Sequence, residues 1–293
     1  MPRRMVVALI VAFWLTTTGF VFYRDVWPRL VASGPPPVAI DLADEARQNS
    51  PTKWTIHRNG AKSGQLTTQM KYLDADDAFQ FSYRYTHLEL EQAGIVLKIP
   101  EASLDVFMTR HGDLKEQHLG GQIELLMKGS SHPFASGTMD VRGVVRAGIL
   151  TGRCSIRSSL VHLEGDLEPV PVPQGQPLNP LQPVNRLANV RGGQTWVVHE
   201  LNPLQDAIGG LVRQKVAELG LRLPELPPRE RLVAEVAPSP QTLRWHNEDV
   251  PCWVIEYRRQ DVVARTWVRQ TDGQVLRQEA FEKGEKLSFE RQE

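Results

Sequence analysis

The sequence predicts a mainly β (α+β) protein: an N-terminal transmembrane helix, then one or more curved antiparallel sheets with one main covering helix. Three observations carry this. A charge-free apolar run lies between Arg4 and Arg24, aromatic residues alternate at Phe79, Phe81, Tyr83 and Tyr85, and one clearly signalled helix begins at Asn202-Pro203.

Met5 to Phe22 reads MVVALIVAFWLTTTGFVF, close to the roughly 20 apolar residues that a bilayer-crossing helix needs. Thr16, Thr17 and Thr18 dilute the run, but threonine hydroxyls bond back to helix carbonyls and stay satisfied in lipid. Trp14, Tyr23 and Trp27 suit the interfacial aromatic belt, and Arg3 and Arg4 favour a cytoplasmic tip over residues 1–4. The span 5–23 is therefore expected to act as a membrane anchor, with everything after Arg24 outside the cytoplasm. A cleaved signal peptide would need a shorter apolar core and a small-residue cleavage site. The bulky, charged Phe22-Tyr23-Arg24-Asp25-Val26-Trp27-Pro28 follows instead.

Residues 24–52 read as a linker, stiffened at Gly34-Pro35-Pro36-Pro37, where consecutive prolines favour an extended spacer. A β region is expected over 53–168. Asn59-Gly60 predicts a hairpin of strands 53–58 and 63–73, because both residues tolerate positive φ. The period-2 aromatics at 79, 81, 83 and 85 share one strand face. Further strands are expected at 96–99, 103–110, 122–128, 136–145 and 152–162, separated by Gly- or Pro-bearing turns.

Six prolines in EPVPVPQGQPLNPLQPV exclude a central strand, so residues 169–201 read as a connection between two subregions. In the third part, 202–293, Asn202 as N-cap, Pro203 at the first helical position and Gln205 predict a helix over 203–219. Gly220 and Pro224 would end it, and strands follow at 243–245, 252–258, 262–269 and 274–281 with a turn at Asp272-Gly273.

The 34 Lys+Arg balance 34 Asp+Glu, so no net field draws the chain to nucleic acid. No metalloprotease, nucleophile-elbow, phosphate-loop or Cys-x-x-Cys motif occurs. His111, His118 and His132 match no ligand spacing and read as solvated loop residues. Asp74, Asp76 and Asp77 lack the glycine and distal glutamate of a calcium loop and read as a polar turn. No cofactor, metal or catalytic residue is expected; a hydrolase using His132 or Asp76 is the weakest alternative. Cys154 has only Arg153 and Arg157 to activate it, so it reads as structural. One Cys154–Cys252 disulfide would suit an exported domain, against two buried free thiols.

The motif Phe22 to Pro28, with Cys252-Trp253-Val254-Ile255-Glu256-Tyr257, resembles an uncharacterised family of bacterial signal-anchored extracytoplasmic proteins. That resemblance implies a single-pass inner-membrane protein with a periplasmic C-terminal domain and brings no activity. The stretch Ala264 to Arg269, Asp272-Gly273 and Val275 to Glu279 resembles the late hairpin of periplasmic lipoprotein-carrier half-barrels. Those wrap a curved sheet around a helix and can shelter an acyl chain, although this chain departs from them in keeping a membrane helix.

The functional expectation is a binding domain for a lipid or other apolar ligand, lined by Phe79, Phe81, Tyr83, Tyr85, Trp253, Ile255, Tyr257 and Trp267. The same aromatic face can instead be core packed on helix 203–219, which is the commoner use of such a stripe. The alternative is a non-catalytic scaffold of a cell-envelope complex, recruiting partner proteins through a sheet edge or the segment 169–183.

Overall fold

The computed structural model describes residues 13–14, 16–19, 50–92, 94–109, 113–159, 162–172, 183–187, 189–199, 203–218, 231–282 and 284–292. Residues 13–14 and 16–19 are helical and exposed, with the Thr17 hydroxyl donating to the carbonyl of Phe13 at 2.8 Å. Among the described residues no helix is long and apolar enough to cross a membrane. Most of the span 5–23, the linker 24–49, the caps Asn202 and Gly220, and His111 lie outside them.

One sixteen-stranded antiparallel sheet makes up the fold. In chain order its strands are β1 (Thr52–Arg58), β2 (Ala61–Leu73), β3 (Ala78–Gln92), β4 (Ile95–Thr109), β5 (Leu114–Met127), β6 (Ala135–Arg146), β7 (Ile149–Ser158) and β8 (His162–Asp166). The short β9 (Val170–Pro171) and then β10 (Thr195–His199) precede helix α1 (Pro203–Glu218). Next come β11 (Arg231–Val236), β12 (Gln241–Trp245), β13 (Glu248–Arg258), β14 (Val262–Arg269), β15 (Val275–Glu282) and β16 (Glu285–Arg291).

The spatial order runs β10-β11-β13-β14-β15-β16-β1-β2-β3-β4-β5-β6-β7-β8, with β12 paired to β13 and β9 to β7. The last strand therefore pairs with the first, Trp54 facing Arg291 and Ile56 facing Phe289. The proline-rich stretch does not divide the protein into two sheets, because β16 joins both halves into one.

Local chemistry explains the register. Asn59 and Gly60 hold φ of 50° and 86°, the positive pair that a two-residue hairpin matched to strand twist requires. Ala147-Gly148 and His246-Asn247 make the same kind of turn between β6 and β7 and between β12 and β13. The predicted break at Pro100 is absent: β4 runs straight through it, and its neighbour His87 takes a φ of 52° where the ladder skips both residues. Proline offers no N–H, so the partner strand kinks rather than ends.

Cross-strand register puts one set of residues on a common inner face. It runs from Trp196 and Val198 through Ala234, Ile255, Thr266, Gln278, Phe289, Trp54, Leu66, Tyr85, Leu104, Leu119 and Val141 to Cys154. Two clusters bury this face. The larger includes Trp54, Tyr83, Val106, Leu232, Ile255 and Val268; the smaller joins Val141, Leu150, Cys154 and Leu163 to Leu204, Ala207 and Leu211 of α1.

Helix α1 confirms the expected span but not its expected place. It packs on β7, β8 and β9 rather than on the aromatic face of β3, and a Cβ on Gly165 of β8 would come within 3.0 Å of Leu211. Leaving the sheet from β10 at one end, it returns to cover strands of the other end, which curls the sheet around its inner face. Among the described residues β8 and β10 do not pair with each other, so the curl stays open.

The two cysteines are free and buried, the second of the two alternatives the sequence left open. Cys154 sits with α1 on the inner face, whereas Cys252 belongs to a third cluster with Leu243, Val250 and Leu276. Burial pushes the Cys252 thiol up to about 11, so it stays protonated at neutral pH. A thiol reagent is expected to label neither cysteine in the native protein and both after denaturation; one bridged pair would leave none to label.

Candidate functional site

Seven of the eight aromatic and aliphatic candidates share the inner face, and one does not. Phe79, Phe81, Tyr83 and Tyr85 alternate along β3, with Tyr83 only 2% exposed and facing Leu104 and Thr68 on the neighbouring strands. Trp253, Ile255 and Tyr257 alternate along β13 in the same cluster as Phe81, Tyr83 and Tyr85. Phe79 is buried beside Tyr72, the two ring centroids 4.9 Å apart. Trp267 lies on the opposite face: it pairs with Val254, one residue out of phase with Trp253 and Ile255, and packs on the cluster of Cys252. Strand parity decides this, because a side chain and its direct cross-strand partner share a face.

Burial is uneven along this face. Tyr83, Ile255 and Tyr257 are core, while Phe81, Tyr85, Leu104, Trp196 and Trp253 are only half-buried against the same cluster. These half-buried residues come from β3, β4, β10 and β13, far apart in sequence. Burial raises the hydroxyl of Tyr85 to about 12 and that of Tyr257 to about 12, the latter opposed by a hydrogen bond with Thr266. Burial, with Tyr85 alongside, holds Tyr83 well above the phenol range. All three are neutral hydrogen-bonding groups on an apolar wall. Gln117 of β5 faces Val106 of this wall, and its side-chain oxygen is buried without a partner among the described residues.

A strap missed by sequence reasoning crosses the same face. After the prolines, Val184, Leu187 and Val190 lie in the larger cluster. Leu187 N donates to the carbonyl of Gly273 at 2.8 Å, and Val275 N donates to that of Asn185 at 3.1 Å. A polar side-chain chain also ties it to the inner face: Trp54 Nε1 donates to Thr68 at 2.9 Å, and the Thr68 hydroxyl donates to Oδ1 of Asn185 at 2.6 Å. The isolated apolar residues Val184, Leu187 and Val190 just after the prolines were the only sequence signal for it.

Beside the cluster of Cys252, the outer face carries ion pairs. Asp105, 8% exposed, accepts from Ser82 at 2.6 Å, Gln80 at 3.1 Å and Arg84 at 3.0 Å. Burial pushes its carboxyl up, but these hydrogen bonds and the Arg84 charge outweigh that and hold it below the usual range. Asp272, bonded by Arg269 and by Gln274 N, is lowered in the same way. A carboxylate depressed on folding stabilises the native state above its unfolded pKa, and that contribution fades as pH falls through the folded value. The melting temperature is therefore expected to drop on acidification below the ordinary carboxylate range. Asp105→Asn should flatten that drop, as pH-series melts would show.

His118 is a strand residue rather than a loop histidine and meets Asp140 at 2.7 Å. His132 lies in an exposed turn with Ser130 and Ser131, and Asp74 and Asp76 are an exposed turn as expected. Among the described residues no group of three His, Cys, Asp or Glu side chains is placed to hold a metal.

The fold and this inner face define a class: an antiparallel β domain with a curled, largely apolar interior surface. No family model matches the chain, and no curated protein matches it in sequence. Among solved structures it is similar to a beta-barrel-like protein of a domain of unknown function, DUF1849, from Brucella abortus. That likeness has a TM-score of 0.37 at 8% identity over 83% of this chain and 95% of that one.

Proposed function

We propose that the domain is a non-enzymatic binding module, anchored by residues 5–23 on the extracytoplasmic face of a bacterial inner membrane, that holds a lipid or other apolar ligand on its inner face. The observation that carries this reading is the row of half-buried Phe81, Tyr85, Leu104, Trp196 and Trp253 on a curled face whose deeper layer is already packed. Large aromatic surface left part-open inside a concavity is the usual composition of a ligand wall, with a few polar groups to orient the guest. Tyr85 and Gln117 supply such groups here. Native mass spectrometry with lipid extraction tests it on the full chain. A reproducible acyl species bound at one per chain supports the reading, and a protein that stays ligand-free when offered lipid contradicts it.

One observation favours a scaffold role instead. Val197 and Val233 are cross-strand partners at the β10 edge of the sheet, 56% and 46% exposed. An open edge bearing paired valines can accept another strand. Stoichiometric protein partners that depend on Val197 and Val233, with no bound lipid, would select that reading.

A further inference from the structure

Three guanidinium groups meet where β14 turns into β15, and one carboxylate serves them. Asp272 is clasped by Arg269 through Nε at 2.9 Å and Nη2 at 2.6 Å, and its backbone carbonyl accepts from Arg186 Nε at 2.7 Å. Three arginines against one aspartate leave two positive charges at this end of the sheet.

Arg291 carries one of these two charges, on the inner face. It stands opposite Trp54 on the inner face, its guanidinium 5.9 Å from the centre of the indole ring. Nη1 donates to the carbonyl of Asn185 at 3.0 Å, and its other contacts, the Val275 carbonyl and the Thr52 hydroxyl, are both at 3.5 Å. Every one of these acceptors is neutral, and two are at the outer limit of a hydrogen bond. Among the described residues no carboxylate forms an ion pair with Arg291. Burial and the nearby charge of Arg269 pull its pKa down, with Asp272 only partly opposing them. Charges taken out of water are retained in folded proteins where an opposite charge meets them.

We propose that this end of the inner face is an anion site, with Arg291 as its principal contact, for the carboxylate or phosphate oxygens of the ligand. The proposal rests on the binding reading above and deepens it: the guest is an anionic amphiphile, its chain along the aromatic wall and its head at Arg291. A guanidinium fork suits both oxyanions, since its paired N–H groups match two oxygens at once.

The test uses the full chain in mild detergent, with detergent alone as blank, and a pyrene-labelled fatty acid beside its methyl ester. The acid is expected to bind on the order of ten-fold more tightly than the ester. Arg291→Gln should bring the acid down to the ester's affinity without weakening the ester, and Arg291→Lys should keep part of the preference. In a second arm, inorganic phosphate should raise the melting temperature of the wild type and not of Arg291→Gln.

Acid preference without a phosphate effect identifies a lipid head group. A phosphate effect with neither acyl probe bound keeps the anion site, for free phosphate, and removes the acyl reading. Equal binding of acid and ester with no phosphate effect overturns the anion site and leaves the apolar wall standing. Loss of ester binding in both variants shows that Arg291 serves only the fold and also overturns it. Binding of neither probe with no phosphate effect removes both readings.

Discussion

Tyr83→Asp is expected to abolish cooperative folding. Tyr83 is 2% exposed and belongs to the cluster of Trp54, Leu66, Val106 and Ile255 on the inner face. Removing a buried aromatic ring costs about 3–5 kcal/mol in cavity and lost transfer energy. An unpaired carboxylate in the same place adds several more, or forces its own protonation. Together these match the whole stability of a domain, about 5–15 kcal/mol. A thermal melt by circular dichroism should show no cooperative transition. A variant that melts like the wild type and merely loses ligand would put Tyr83 on an open wall and contradict the packing described for β3.

Deleting β16 should be as damaging, for a topological reason. Its ladder partners are β15 on one side and β1 on the other, so among the described residues its pairing with β1 is what joins the two chain halves within the sheet. Its loss exposes the backbone edges of two interior strands and takes the buried side chains of Phe289 and Ser288 out of the structure. Unpaired edges of that length are templates for aggregation. A chain ending at Gly284 is expected to be insoluble or to lose native β signal, whereas a soluble, cooperatively melting product would mean that the halves fold as separate sheets.

How much of this was legible in the sequence depended on how local the signal was. Asn59-Gly60, Asp272-Gly273 and the strand 262–269 were readable because turn chemistry and period-2 alternation act over a few residues. Helix 203–218 was readable from Pro203, but its docking site was not: the contact of Leu204 and Leu211 with Leu150 and Cys154 depends on how the sheet curls. Five strands went unseen. β8 and β9 are short and lie around the start of the proline-rich stretch, β10 and β11 flank the helix and are short, and β16 follows a turn at Gly284 and is half charged, EKLSFER.

Gly120-Gly121 resembled a turn yet lies within β5. There a Cβ on Gly121 would sit 2.9 Å from that of Ala102, so the glycine marks close strand packing. The aromatic candidates were identified by period, and period fixes faces only within one strand. That is why period alone put Phe81 and Tyr85 on one face of β3, whereas the place of Trp253 in the same cluster and of Trp267 on the opposite face follow from cross-strand register. Arg291 gave no signal at all, since the neutral surroundings of its guanidinium exist only once Trp54 and Asn185 lie against it.

The most direct test of the central claim, that the curled inner face is the binding surface, is photo-crosslinking with a diazirine-bearing fatty acid followed by peptide mapping of the full chain. The account predicts adducts on β3, β10 and β13 at Phe81, Tyr85, Trp196 and Trp253, competed away by unlabelled fatty acid. Adducts confined to residues 5–23 or to the outer face, around Asp105 and His118, would contradict it.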